Sequence, residues 1–336
     1  MSLKFAVGML SNDLDLTVAE AKLAEDLGYH LVRIADSQSL FYDCYVALAP
    51  VAIHTSRILV GTGVTNPVTR HPVITAGAIS TIDDLSGGRA VLGIGTGFSA
   101  VHTIDEKPAS PELLREYVIA IRELYEHRET TYRGKTIRLT WPKRRVPIWI
   151  AASGPRALRV AGELADVVIM GSGFLPECIA ADLPHVAEGA RAGGRRLEDL
   201  ALWVFGPANI ASTWEAAVEP LKAGLAGTGQ FTVARDLREG QRLPAELMPA
   251  LRRYVAGYRP DQHQGGAGSP NARLVDELGV TRYLAERFGL IGTPEQCVAQ
   301  ARAVAKVGIH GLMLTIVTPE PLQTIRDVGE KVMARV

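Results

Sequence analysis

The chain lacks the residues that would mark a metalloprotein, a secreted scaffold or a nucleic-acid binder. Its three cysteines, Cys44, Cys178 and Cys297, are odd in number and far apart. They give neither a disulfide framework nor a zinc spacing, so no metal site is expected, and a reducing cytoplasm is the expected location. Neither sign of charge is in excess, with 36 Lys and Arg against 36 Asp and Glu. That balance argues against nucleic acid or a membrane surface as a partner, and Lys143-Arg144-Arg145 reads as a solvated loop. No apolar run approaches the ~20 residues of a membrane span. Asn12, Asp13 and Asp15 interrupt any signal-peptide core at the N-terminus.

At 47% hydrophobic and 21% charged, the 336 residues can bury a large core. Barrels of alternating strands and helices commonly reach this length as one domain, and residues 1–336 read as one. Short β-branched runs alternate with helix-period segments. Lys4 to Met9 is the first strand, followed by a helix with Leu16, Ala19, Leu23 and Leu27 on one face and Gly28 at its end. His30 to Asp36, Ile58 to Gly63 and Ala90 to Gly95 continue the strands. Helices lie between them, around Tyr45 to His54 and His71 to Leu85. After a helix from about Glu112 to His127, Thr130 to Thr140 reads as a hairpin insert around Arg133-Gly134-Lys135.

Pro147 to Ala152, Val167 to Met170 and Leu202 to Ile210 are the next strands. Residues from about 226 to 290 break the rhythm and read as a long lid-like insert after the seventh strand. Within it, Gly257 to Arg273 is rich in Gly, Pro, Gln and Asn and reads as a loop. The pattern returns with Thr293 as N-cap, Pro294 at N1 and Gln296 completing a capping box. Val298, Ala301 and Ala305 face inward. Leu312 to Val317 is the last strand and Pro321 to Val336 the last helix. About eight βα units imply a parallel sheet, closed as a (β/α)8 TIM barrel or, as the other arrangement, open and doubly wound.

In a barrel, chemistry sits at the C-terminal strand ends. Five strands end there in residues unsuited to packing: Asp36-Ser37-Gln38, Gly63-Val64-Thr65-Asn66-Pro67, Gly95-Thr96-Gly97, Ala152-Ser153-Gly154-Pro155-Arg156 and Gly171-Ser172-Gly173. Gly154-Pro155 opens a helix whose free N–H groups and dipole suit an anion, and Arg156 adds a formal charge there. The same residues also make a plain β-to-α turn with Pro at N1. Asp36 serves either to accept a hydrogen bond from a ligand or to cap the next helix. Gly93-x-Gly95-x-Gly97 has the wrong spacing for a dinucleotide fingerprint and also suits a strand exit. No Lys and no His-x-His pair ends a strand, which argues against Schiff-base aldolases and metallohydrolases. No Gly-x-Ser-x-Gly elbow is present. With no obvious nucleophile or metal, an organic cofactor is the natural source of chemistry.

The segment from Ile58 to Pro72, ILVGTGVTNPVTRHP, resembles the third-strand region of the bacterial luciferase-like superfamily. The nearer resemblance is to its coenzyme F420-dependent branch, the methylenetetrahydromethanopterin reductases. Asp84 to Gly97, Pro147 to Arg156, Ala161 to Ile169, Ile291 to Glu295 and Gly308 to Leu314 extend it over the chain outside about 175 to 290. The resemblance implies a (β/α)8 barrel binding F420 or, alternatively, FMN at the strand ends. It implies a non-proline cis peptide at Gly63–Val64 backing the ring, with hydride transfer at the opposite face. Asp36 would lie near the ring, and Asn66, Gly97 and Phe98 would touch the ring or ribityl chain. Ser153, Gly154, Arg156 and Ala157 would hold the phosphate, with Gly171 and Ser172 nearby.

Departures narrow the activity. Relatives that oxidise sugar phosphates carry His after the second-strand Asp and Glu after the fourth-strand Gly-Thr-Gly. Ser37 and Phe98 stand here, which argues against that substrate. Asp36 and His102 are the candidate catalytic groups, although a loop histidine is the plainer reading of His102, and His71 reads as structural. The expected function is hydride transfer between F420 and a small organic substrate. The alternatives are a monooxygenase using reduced FMN and oxygen, with a partner reductase supplying reduced cofactor, and a non-catalytic flavin-binding homologue. A homo-oligomer follows only from the resemblance. Tyr254, Tyr258, Tyr283 and Phe288 are available either as walls of the site or as the insert's own core.

Overall fold

Eight parallel strands close on themselves because intervening helical segments return the chain to the starting end. The computed structural model describes residues 2–239, 243–259 and 268–336. The first strands are β1 (Lys4–Met9), β2 (Leu31–Ile34), β3 (Leu59–Thr62) and β4 (Ala90–Ile94). The hairpin β5 (Glu129–Tyr132) and β6 (Lys135–Arg138) follows, antiparallel and outside the ring. Next come β7 (Ile148–Ala152), β8 (Val167–Met170), β9 (Ala201–Ile210), β10 (Leu290–Gly292) and β11 (Gly311–Thr315). Closure runs from β8 through β9 and β11 back to β1. The three-residue β10, absent from the sequence reading, pairs with the outer end of β9.

The helices in the first half are α1 (Leu14–Asp26), α2 (Cys44–His54), α3 (Pro72–Leu85), α4 (Ser99–His102), α5 (Pro111–His127) and α6 (Pro155–Leu164). They continue with α7 (Pro176–Ala192), α8 (Trp214–Val218), α9 (Lys222–Glu239), α10 (Met248–Gly257) and α11 (Pro270–Glu277). The chain ends with α12 (Thr281–Phe288), α13 (Pro294–Lys306) and α14 (Pro321–Lys331). Side-chain caps set several of their starts. Asp13 accepts from Leu16 N–H, Asp43 from Tyr45 and Val46, and Thr293 forms the expected capping box with Gln296.

The face α1 turns inward differs from the sequence expectation. Thr17, Glu20, Ala21 and Ala24 are buried, whereas Leu16 and Ala19 are exposed. Small residues let the helix lie close to the barrel, and Leu27 reaches sideways to Gly329 of α14. In α13, Val298 and Ala301 are buried as expected, joined by Cys297 and Val304, with Ala305 half-buried.

The barrel interior holds Ala6, Leu31, Val91, Trp149, Val167, Ile169, Trp203 and Met313. A second apolar layer lies between strands and helices, including Val7, Val32, Leu48, Ile79, Leu92, Ile121 and Leu314. The insert has its own core, built from Leu225, Val233, Leu251, Tyr254, Leu284 and Phe288. It begins directly after β9, earlier than residue 226, because α8 belongs to it. Of the expected loop from Gly257 to Arg273, Gly257 closes α10 and Pro270 to Arg273 already belong to α11. Residues 260–267 lie outside the described residues. Among the described residues no helix is long and apolar enough to cross a membrane.

Candidate active site

The C-terminal ends of the strands bring the predicted rim residues to one mouth, but several of their side chains hold the structure together instead. The Asp36 carboxylate has no accessible surface and pairs with Arg70 Nη1 at 2.5 Å. It also accepts from Thr65 Oγ1 at 2.6 Å. Arg70 bridges on to Asp43 at 2.6 Å, so one chain of charges fixes the loops leaving β2 and β3. Burial, then the Asp36 carboxylate, pushes the neighbouring Cys44 thiol well up. Asp36 is thus buried among its own loop supports through Oδ2, while Oδ1 has no hydrogen-bond partner among the described residues. Asn66 is likewise consumed: its Oδ1 accepts from Val68 and Thr69 N–H at 2.9 and 3.0 Å, an Asx turn with no exposed surface.

The Gly63–Val64 peptide is cis, as the resemblance implied. Beneath it lies Arg33, which sequence reading missed. Its side chain enters the barrel from β2, and the residue is only 6% exposed. Nη1 donates to the Gly63 carbonyl, and Nη2 donates to Thr315 Oγ1 at 2.7 Å. Nε has no partner among the described residues. Burial lowers its pKa to about 10, which still leaves it charged at neutral pH. Gly8 and Gly63 flank it because the guanidinium and its stem lie 2.8 Å from where their side chains would begin. The only signal in the sequence was an arginine at an inward position of a strand otherwise made of Leu, Val and Ile.

At the next strand ends, Gly97 has a φ of 92° and leads into Phe98, which is 40% exposed. Phe98 packs edge-on against His102 at 5.2 Å and against Phe231 of α9 at 4.8 Å. His102 is exposed at the end of α4. The aromatic wall thus joins the barrel rim to the insert. Tyr254, Tyr258, Tyr283 and Phe288 are instead buried in the insert's own core, at 9% exposure or less. His71 caps α3 by accepting from Val73 N–H at 3.4 Å, a structural task.

The anion-suited helix start is present. Gly154 takes a φ of 90° and opens α6, and among the described residues no side chain caps its first N–H groups. Ser153 is exposed beside it, and Ala157 is buried in the first turn. The Arg156 guanidinium pairs with Glu112 on α5, both side chains being exposed. Arg235 of α9 also reaches this helix start: its Nη1 stands 3.2 Å from where a Gly154 side chain would begin. Its Nε and Nη2 are held by Asp236 Oδ1 at 3.3 and 3.2 Å. Asp236 is pinned in turn by the fully buried Arg287 at 2.5 Å. Sequence reading missed Arg235 because it reaches the rim from an insert far along the chain. At Gly171, the Phe205 ring lies 3.0 Å from the absent Cβ. The Ser172 hydroxyl is turned away to buried Asp182, and its carbonyl accepts from Arg287 Nε at 3.2 Å. Ser172 thus anchors the insert.

A cavity of about 560 Å³ opens at the other face, lined in part by Lys4, Tyr29, His30 and Arg57. It lies at the N-terminal strand ends, which serve stability in this architecture. Among the described residues no cluster of three or more His, Cys, Asp or Glu could hold a metal.

Comparison with known proteins agrees with the barrel fold. The chain is 28% identical to 5,10-methylenetetrahydromethanopterin reductase of Methanolobus tindarius, over 98% of its own length and 99% of the relative's. It is 34% identical to the F420-dependent glucose-6-phosphate dehydrogenase of Nakamurella multipartita, covering 74% of this chain and 80% of that one. Its fold superimposes on the coenzyme F420-dependent tetrahydromethanopterin reductase of Methanopyrus kandleri with a TM-score of 0.77, at 24% identity and 99% coverage of both chains. The model of the luciferase-like monooxygenase family matches residues 4–311, so the chain belongs to that family of oxidoreductases.

Proposed function

We propose that this protein transfers a hydride between coenzyme F420 and a small organic substrate at the barrel mouth. The observation that carries the reading is the cradle at Gly154, where uncapped N–H groups of α6 meet Arg235. Dipole and guanidinium together favour a phosphate-bearing cofactor. The residues present fit such a group: a side chain on Gly154 would fill the cradle, and Arg33 Nε is a buried donor without a partner among the described residues. FMN shares the phosphate, and the relatives named for F420 favour the deazaflavin.

When bound, the deazaflavin supplies a ring carbon that gives or takes a hydride. Arg235 and the first N–H groups of α6 would hold the phosphate. Gly63 and Val64 would form the floor under the ring, leaving the opposite face for substrate. Phe98 and Phe231 would exclude water from one side of the mouth. His102, edge-on to Phe98, would exchange the substrate's proton, and Asp36 would hold its loop.

The experiment is a titration of the protein with F420 and with FMN, each oxidised and reduced, followed by fluorescence and absorbance. Tight F420 binding with weak FMN binding is the expected result. Preference for reduced FMN would overturn it in favour of an oxygen-using monooxygenase, for which oxygen uptake is the next assay.

A further inference from the structure

We infer that Arg33 is the electrostatic partner of the negative charge that hydride uptake leaves on the bound ring. This rests on the reading of the mouth as a deazaflavin or flavin site. Three other arginines around the mouth, Arg70, Arg235 and Arg287, each hold a carboxylate. Arg33 has none among the described residues, and its partners there are the neutral oxygens of Gly63 and Thr315. A buried guanidinium without a counter-charge is costly, so its retention calls for a compensating anion.

The location decides which anion. Gly63 and Thr315, to which the guanidinium donates, are half-buried at the strand ends, so the buried guanidinium lies directly beneath the floor of the mouth. Glycine at positions 8 and 63 keeps its space clear on both sides. Arg33 lies on the barrel side of Gly63, the segment that would back the ring. It is therefore behind the ring, and a substrate carboxylate on the opposite face would be on the wrong side to meet it.

A neutral oxidised ring that accepts a hydride gains two electrons and one proton, and becomes an anion with the charge spread over N1 and the C2 carbonyl. The substrate gives up that hydride and releases its hydroxyl proton when it is an alcohol. A fixed cation in a low-dielectric floor stabilises the anion relative to the neutral oxidised form. The same holds for flavin, whose reduced form also ionises at N1. Among the described residues, the other charged groups facing the mouth do not supply this. Asp36 and Arg70 offset each other, Asp236 holds both Arg235 and Arg287 on the insert side, and His102 stands exposed on α4.

The test is an anaerobic pH titration of reduced F420, free and bound, read by absorbance, with dissociation constants for oxidised and reduced forms. If Arg33 acts as inferred, the bound reduced ring ionises at lower pH than the free one by about a unit or more. That corresponds to on the order of tenfold preference for the anion. Arg33→Met loses the shift and the preference, and Arg33→Lys retains most of both. Should Arg33→Met fail to fold, the wild-type titration decides alone. An unshifted or raised ionisation in a protein that binds F420 overturns the role of Arg33 and leaves the proposed function standing. Failure of the wild type to bind F420 or FMN in either form overturns both.

Discussion

Replacing Asp236 by Asn should loosen the insert and the cofactor cradle together. Asp236 is fully buried between Arg287, also fully buried, and Arg235, which is 15% exposed. Asparagine keeps an acceptor but no charge, so Arg287 is left as an uncompensated buried cation. Breaking such a pair from one side costs about 3–5 kcal/mol. With about 2.1 cal/mol/K of unfolding entropy per residue, a chain of this length loses roughly 4–7 °C in Tm for that amount. Arg235 loses its anchor at the same time, so F420 affinity should fall. Differential scanning fluorimetry with and without F420 reads both effects. The control is the double variant Asp236→Leu with Arg287→Met, which removes both charges of the pair and should recover much of the lost stability. An Asp236→Asn protein that melts with the wild type would refute the reasoning, because the two charges would then not depend on each other for burial.

Arg235→Ala should leave Tm nearly unchanged, since Asp236 keeps Arg287, but weaken F420 binding by roughly 10- to 100-fold, as for a lost charge-assisted hydrogen bond of about 1.5–3 kcal/mol. Calorimetric titration checks it. Glu20, on the inner face of α1, has its pKa raised to about 7 by burial and then by the Asp13 carboxylate. A raised carboxyl pKa means stability present below the unfolded value of 4.5 and lost as pH rises through about 7. Glu20→Gln should therefore gain on the wild type between about pH 5 and pH 8, by about 2–3 kcal/mol in urea unfolding; parallel pH profiles would count against it. Gly189→Ala should destabilise the α6–α7 contact by about 1–3 kcal/mol, because its Cβ would lie 1.9 Å from the Arg159 carbonyl. Thermal unfolding of the variant tests that contact.

The strands and most helix starts were legible because their signals are local. β1 and β8 fall where the alternation placed them, and the Thr293 capping box forms as read. The rim was legible too, since glycines and short polar residues follow the strands. What each rim side chain does was not, because its partner comes from elsewhere in the chain. Asp36 depends on Arg70 from the loop after β3, and Ser172 on Asp182 of α7. Arg156 looked suited to a phosphate from its position in the first turn, and its pairing with Glu112 and the approach of Arg235 to Gly154 both come from elsewhere in the chain. The insert's aromatics could serve as walls or as core by sequence, and the helices of the insert bury them together. Leu16 of α1 is apolar but sits on the solvent side, where the close approach of Ala21 and Ala24 to the barrel leaves it.

The central claim is that a phosphate-bearing deazaflavin lies with its phosphate at Gly154 and Arg235 and its ring over Gly63 and Val64. The most direct measurement compares the binding of F420 with that of its phosphate-free deazaflavin analogue, in the wild type and in Arg235→Ala. The wild type is expected to bind F420 at least about tenfold more tightly than the analogue, by the strength of one charge-assisted contact. Arg235→Ala should bring the two affinities close together while leaving that of the analogue unchanged. Equal affinities in the wild type, or a preference that survives Arg235→Ala intact, would contradict the claim.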